Sequence, residues 1–164
     1  MTERQPLNIL LVEDSPSDVE ITREALGGTA IPHRLAVLTH GDEVMPYLRR
    51  TGKAVDAETP HLVLLDLNLP GMNGRELLKQ IKADPELRLI PVVVLTTSSQ
   101  DGDIRDAYGS HANAYLIKPI DWASFEKVAL DLATFWSDVL QLDAGRPHPE
   151  SAPEHPDQVR SADP

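Results

Sequence analysis

The stretch that most restricts the fold runs from His61 to Gly74, HLVLLDLNLPGMNG. Its apolar run does not alternate with polar residues, which is the pattern of a strand buried on both faces in a parallel sheet. Asp66 breaks the run, and a Pro70-Gly71 turn follows, so the strand ends in a loop. A carboxylate at the tip of a hydrophobic strand is costly unless something pairs with it. Asp66 therefore calls for a cation, and the rest of the chain must supply both the cation and a use for it.

The same design recurs along the sequence. Asn8 to Val12 is a short apolar run that meets Glu13-Asp14. Ser15 or Ser17 can cap the following helix, with Pro16 near its first turn and Gly27-Gly28 at its end. His33 to Leu38 reads as a second strand. Asp42 to Arg50 reads as a helix with Val44, Met45 and Leu48 on one face, and Thr51 to Thr59 as a polar loop. Gly74 to Ala83 predicts a third helix that stops before Asp84-Pro85. Pro91 to Leu95 is almost entirely β-branched, hence a buried strand, and it runs into Thr96-Thr97-Ser98-Ser99. A polar helix over Asp101 to Ser110, a strand over Ala114 to Ile117 ending at Lys118-Pro119, and a long helix over Trp122 to Leu142 complete five strand-helix pairs. No longer sequence repeat is present.

A chain of 164 residues with 41% hydrophobic content fits one domain, placed at residues 6–142. Residues 143–164 change character: five prolines, scattered charge and only Val159 among the large aliphatics, a composition expected to stay mobile. Asp and Glu number 26 against 15 Lys and Arg, giving a formal net charge of -11, which repels phosphate backbones and anionic lipid heads. No direct nucleic-acid or membrane partner is expected. The absence of cysteine excludes disulfides, thiolate metal sites and thiol nucleophiles. The longest apolar runs are of strand length, and MTERQ lacks a signal-peptide core, so a cytoplasmic location is expected.

Alternating strands and helices of this length build an α/β, doubly wound, five-stranded parallel sheet with helices on both faces. Ligands of such sheets sit beyond the carboxyl ends of the strands, where strand order reverses; in the common order 2-1-3-4-5 that point lies between strands one and three. Glu13, Asp14 and Asp66 then converge, with Thr96 and Lys118 arriving from strands four and five. Crowded carboxylates repel one another unless a hard divalent cation lies among them, and Mg2+ suits such an oxygen site. A cation, the Lys118 ammonium and the Thr96 hydroxyl around one point can stabilise the oxygens of a transferring phosphoryl group. Asp66 is then the candidate nucleophile. Taken singly, Asp66 is a turn residue, Glu13-Asp14 a helix cap, Thr96 a strand-end hydroxyl and Lys118 a solvated charge. Their joint placement at the ends of strands one, three, four and five selects the functional reading.

On LLVEDSPSD, LLDLNLPGMNG, PVVVLTT and AYLIKP, in this order and spacing, residues 6–140 resemble the CheY-like receiver domains of two-component response regulators. The resemblance implies that Asp66 is the phosphoacceptor, that Asp14 binds Mg2+ directly and Glu13 through water, and that the backbone carbonyl of Asn68 is a third protein ligand. It implies Thr96 as the switch hydroxyl, Tyr115 as the aromatic switch, and Lys118 as the phosphate-binding lysine, followed by Pro119. Thr97 stands where Ala or Gly is usual, and it joins Asn68 and Ser98 among the positions expected to tune phosphoryl lifetime. HGDEVMPYLRR, KADPELRLIPVVVLTTS, NAYLIKPID and Phe135-Trp136 are similar to the single-domain regulators of phytochrome histidine kinases. That likeness implies a bacteriophytochrome kinase as phosphoryl donor and a homodimer through helix four, strand five and helix five.

Other chemistries have less support. A haloacid-dehalogenase-type phosphatase wants a second Asp two residues after the nucleophile, and that position is Asn68. The stretch after the last helix is short and proline-rich, unlike a helix-turn-helix domain. The six histidines show no ligand spacing for zinc, and no Walker, dinucleotide or nucleophile-elbow motif occurs. A stand-alone phosphoacceptor is the leading expectation, acting as effector, phosphorelay intermediate or phosphate sink, and as a signalling protein rather than an enzyme.

Overall fold

The structure is a computed structural model that describes residues 5–96, 101–118 and 121–144. Five strands, β1 (Leu7–Val12), β2 (His33–Leu38), β3 (Leu62–Leu65), β4 (Val92–Thr96) and β5 (Ala114–Ile117), alternate with five helices, α1 (Pro16–Gly27), α2 (Val44–Leu48), α3 (Gly74–Ala83), α4 (Asp101–Gly109) and α5 (Trp122–Ala144). The strands form one parallel sheet in the order β2-β1-β3-β4-β5. This is the predicted doubly wound order.

Side chains point alternately to the two faces of a strand, and both faces here are covered. Leu10, Val12, Val63, Leu65, Val92 and Val94 pack with Met45 and Leu48 of α2, Leu77, Leu78 and Ile81 of α3, and Ala107 of α4. The intervening Ile9, Leu11, Leu62, Leu64, Val93 and Leu95 pack with Ala25 and Leu26 of α1 and with Phe125, Ala129 and Ala133 of α5. Covering both faces explains why the central strands read as unbroken apolar runs.

The helix predicted over 42–50 divides. Gly41–Glu43 is a 3-10 turn and only Val44–Leu48 is α-helical. Pro46 has no N–H to give, which is tolerated only near a helix start. Arg50 at φ 53° and Gly52 at φ 60° then turn the chain left-handed, and Thr51 N–H bonds back to the Pro46 carbonyl at 3.0 Å. At the other end of the chain, α5 runs two residues past its predicted end at Leu142. The rest of the predicted tail, together with Thr97, Ser98 and Pro119, lies outside the described residues.

Candidate functional site

Strand register builds the site. Val12 pairs with Leu65, so the next residues, Glu13 and Asp66, leave the sheet side by side, and Asp66 N–H bonds the Val12 carbonyl at 3.0 Å. On the far side Thr96 pairs with Ile117, and Lys118 N–H bonds the Thr96 carbonyl at 2.8 Å. Glu13, Asp66 and Thr96 are buried, at 2%, 7% and 0% exposure, while Asp14 is open to solvent. One ligand oxygen each from Glu13, Asp14 and Asp66 can lie within 4.8 Å of the others. An all-oxygen, all-carboxylate donor set fits a hard divalent cation.

Lys118 crosses to this cluster from β5. Its Nζ donates to Asp66 Oδ2 at 3.0 Å, to Asp18 Oδ2 at 3.0 Å and to Glu13 Oε2. The lysine side chain is 7% exposed, so its charge is held in a poorly solvated place by three carboxylates. Burial pushes the Glu13 carboxyl up from its ordinary 4.5 to about 7, against the hydrogen bond and charge of Lys118. Burial also works against the Lys118 charge, but the hydrogen bonds to Glu13 and Asp18 outweigh it and raise its pKa. The ammonium therefore persists through the physiological range.

The second oxygen of Asp66 is fixed locally. Asn68 N–H donates to Asp66 Oδ1 at 3.0 Å across the start of the β3–α3 loop. Asn73 caps α3 through Arg75 N–H at 2.7 Å, and Gly74 N–H returns to the Leu67 carbonyl at 3.2 Å. A Cβ on Gly74 would lie 2.5 Å from the Asp66 carbonyl oxygen and 2.6 Å from Leu67 Cα, so only glycine lets α3 begin against the Asp66 backbone. Tyr115 lies half-buried on β5 beside Val94 and packs against the core on the α3–α4 side.

Of the residues singled out in the sequence, Glu13, Asp14, Asp66 and Lys118 come together here. Thr96 and Tyr115 flank them on β4 and β5, and Asn68 contributes its N–H. One participant was missed: Asp18. It belongs to the first turn of α1 after the N-cap Ser15, whose Oγ accepts from Asp18 N–H at 3.4 Å, and in the sequence it reads only as a helix-start acid. Its lysine partner is 100 positions away, and no local pattern links the two.

A buried lysine bridges strand-end carboxylates at the switch point of the 2-1-3-4-5 sheet, and comparison with known proteins identifies the family of the chain that carries it. The sequence model of the response regulator receiver domain fits residues 9–129. The chain belongs to the response regulator receiver family. This receiver is 41% identical to response regulator Rcp1 of Synechocystis sp. over 139 residues, 85% of the chain and 95% of that relative. It is 40% identical to the probable methanogenesis regulatory protein FilR2 of Methanothrix harundinacea, over 80% of the chain and 84% of the relative. Among solved structures, it superposes on the phosphorylated cyanobacterial phytochrome response regulator RcpA with a TM-score of 0.78 at 40% identity, covering 82% of this receiver and 96% of that chain. The Mn2+-bound form of Rcp1 superposes with a TM-score of 0.76 at 41% identity, over 81% of this receiver and 96% of that chain. Among the described residues of the receiver, no helix is long and apolar enough to cross a membrane.

Proposed function

We propose that this receiver accepts a phosphoryl group on Asp66 from the phosphohistidine of a partner histidine kinase, with Mg2+ bound by Asp14, Asp66, the Asn68 carbonyl and, through water, Glu13. The observation that carries the reading is the Lys118 ammonium held at once by Glu13, Asp18 and Asp66, beside carboxylates spaced for a cation. A carboxylate oxygen of Asp66 bonds to phosphorus, the P–N bond to the kinase imidazole breaks, and the imidazole leaves with the electron pair. The bound cation supplies positive charge against the phosphoryl oxygens. Lys118 donates to one of those oxygens, and the Thr96 hydroxyl donates to another as it moves toward them. Tyr115 then takes up the space Thr96 vacates, and the altered β4–β5 surface is the output.

Likeness to the phytochrome response regulator RcpA favours a bacteriophytochrome kinase as donor, and we place the exchange in the cytoplasm. Exposed Tyr108 on α4, Ile117 on β5 and Phe135 on α5 support a homodimer through those elements. Thr97, Asn68 and Ser98 would tune how long the phosphoryl survives, since neither Asn68 nor Ser98 offers a carboxylate to orient water. A phosphatase of the haloacid-dehalogenase type is disfavoured because Asn68 holds the position of its acid/base. Labelling with acetyl phosphate or a phosphorylated kinase tests the assignment: the wild type takes up one phosphoryl group and Asp66→Asn takes up none. Equal uptake by both contradicts it.

A further inference from the structure

We propose that Asp18 is a positioning residue for phosphoryl transfer, aiming the Lys118 ammonium at Asp66. The inference rests on the phosphoacceptor reading above and adds a residue to it. An ammonium has three N–H donors, and Lys118 spends them on three acceptors, Glu13 Oε2, Asp18 Oδ2 at 3.0 Å and Asp66 Oδ2 at 3.0 Å. Two anchors therefore set the direction of the third hydrogen, which points at the reacting carboxylate.

The two anchors are not equivalent. Glu13 belongs to the group of carboxylates spaced for a cation, and Asp18 does not. When a divalent cation draws on Glu13, Asp14 and Asp66, Asp18 is the carboxylate that still holds Lys118. When the contact to Asp66 is exchanged for one to a phosphoryl oxygen, that same anchor stays in place.

Local structure frees Asp18 for this work. An acidic residue three positions after an N-cap serine commonly folds back to accept the N-cap N–H. Here the Ser15 N–H donates to Glu13 Oε1 at 3.1 Å instead, and the Asp18 carboxylate turns across to Lys118. One glutamate thus closes the helix start with one oxygen and holds the lysine with the other.

The test measures acetyl-phosphate-dependent phosphorylation of the full chain by intact mass at saturating Mg2+, over a range of donor concentrations. Wild type, Asp18→Ala, Lys118→Ala and the double variant form a cycle, with melting temperatures recorded for each. Removing the anchor should cut the maximal rate about tenfold, the lower end of the weight of one charge-assisted hydrogen bond because the Asp18 carboxylate is partly exposed, with Mg2+ affinity changed less than about twofold. In the Lys118→Ala background, Asp18→Ala should cost no further rate. If Asp18→Ala does not fold, the isosteric Asp18→Asn takes its place, with a loss of about threefold. A wild-type rate in the Asp18 variant, or an equal loss with and without Lys118, overturns the proposal. An Asp66→Asn control that labels like the wild type overturns the phosphoacceptor reading instead.

Discussion

Lys118 Nζ lies 3.0 Å from Asp66 Oδ2, although the two residues are 52 positions apart and enter the site from different strands. The pair is held from both sides. β3 and β1 deliver Asp66 beside Glu13, and β5 delivers Lys118 one residue beyond the Thr96–Ile117 pairing. Lys118 thus serves the fold before it serves any ligand, because it neutralises carboxylates that the sheet has already buried.

Removing that charge should therefore cost stability when no metal is present. Lys118→Ala leaves Glu13 and Asp66 facing each other without a cation, and breaking a buried pair from one side costs about 3 to 5 kcal/mol. Glu13 can take up a proton instead, since burial already brings it to about 7, so the expected loss is near the lower end of that range. Urea unfolding in EDTA reads the loss. Adding Mg2+ should restore more stability to Lys118→Ala than to the wild type, because the cation replaces the missing charge.

Metal binding should depend on pH through Glu13. Its folded pKa is raised from 4.5 to about 7, so in the metal-free protein this group favours folding below 4.5 and that contribution is lost as pH rises through about 7. A cation needs the ionised form and competes with the proton. Mg2+ affinity should fall as pH drops below about 7, by up to about tenfold per unit, with proton release on binding. Calorimetry in buffers of different ionisation enthalpy measures this, and Glu13→Gln should flatten the dependence. Equal wild-type affinities at about pH 6 and about pH 8 would contradict the assignment.

Much of this arrangement was legible in the sequence because it lies at strand ends. Unbroken apolar runs over 62–65 and 92–95 mark strands buried on both faces, and the first polar residue after such a run stands at the carboxyl end of its strand, so Glu13, Asp66, Thr96 and Lys118 could be placed by counting. Ser15 or Ser17 could be read as the cap because capping is local, and the structure selects Ser15. What was not legible depends on contacts between distant segments. Asp18 has the local grammar of a helix start and acquires its role only when β5 brings Lys118 across. The short α2 reflects the competition between a helical pattern over 42–50 and Pro46, followed by left-handed Arg50 and Gly52, which periodicity alone does not weigh.

Away from the site, His61 makes the fold sensitive to acid. Asn8 N–H donates to His61 Nδ1 at 2.9 Å, a bond that requires that nitrogen to be unprotonated. Burial lowers the His61 pKa below its ordinary 6.5, with the Glu58 charge opposing. The unfolded chain therefore binds this proton more readily, and stability should fall as pH drops through about 6.5, levelling off below the folded pKa. Urea midpoints at about pH 7.5 and about pH 5.5 should differ less in His61→Gln than in the wild type. An unchanged difference would remove His61 from the explanation.

The most direct test of the central claim is to find the atom that carries the phosphoryl group. The wild-type chain is phosphorylated with acetyl phosphate and Mg2+, then reduced with borohydride, which converts an aspartyl phosphate to the alcohol homoserine, and digested for peptide mapping. Homoserine is expected at position 66 and nowhere else, with none formed in Asp66→Asn. Homoserine at another aspartate, or a stable phosphate ester on a hydroxyl such as that of Thr96, would contradict it.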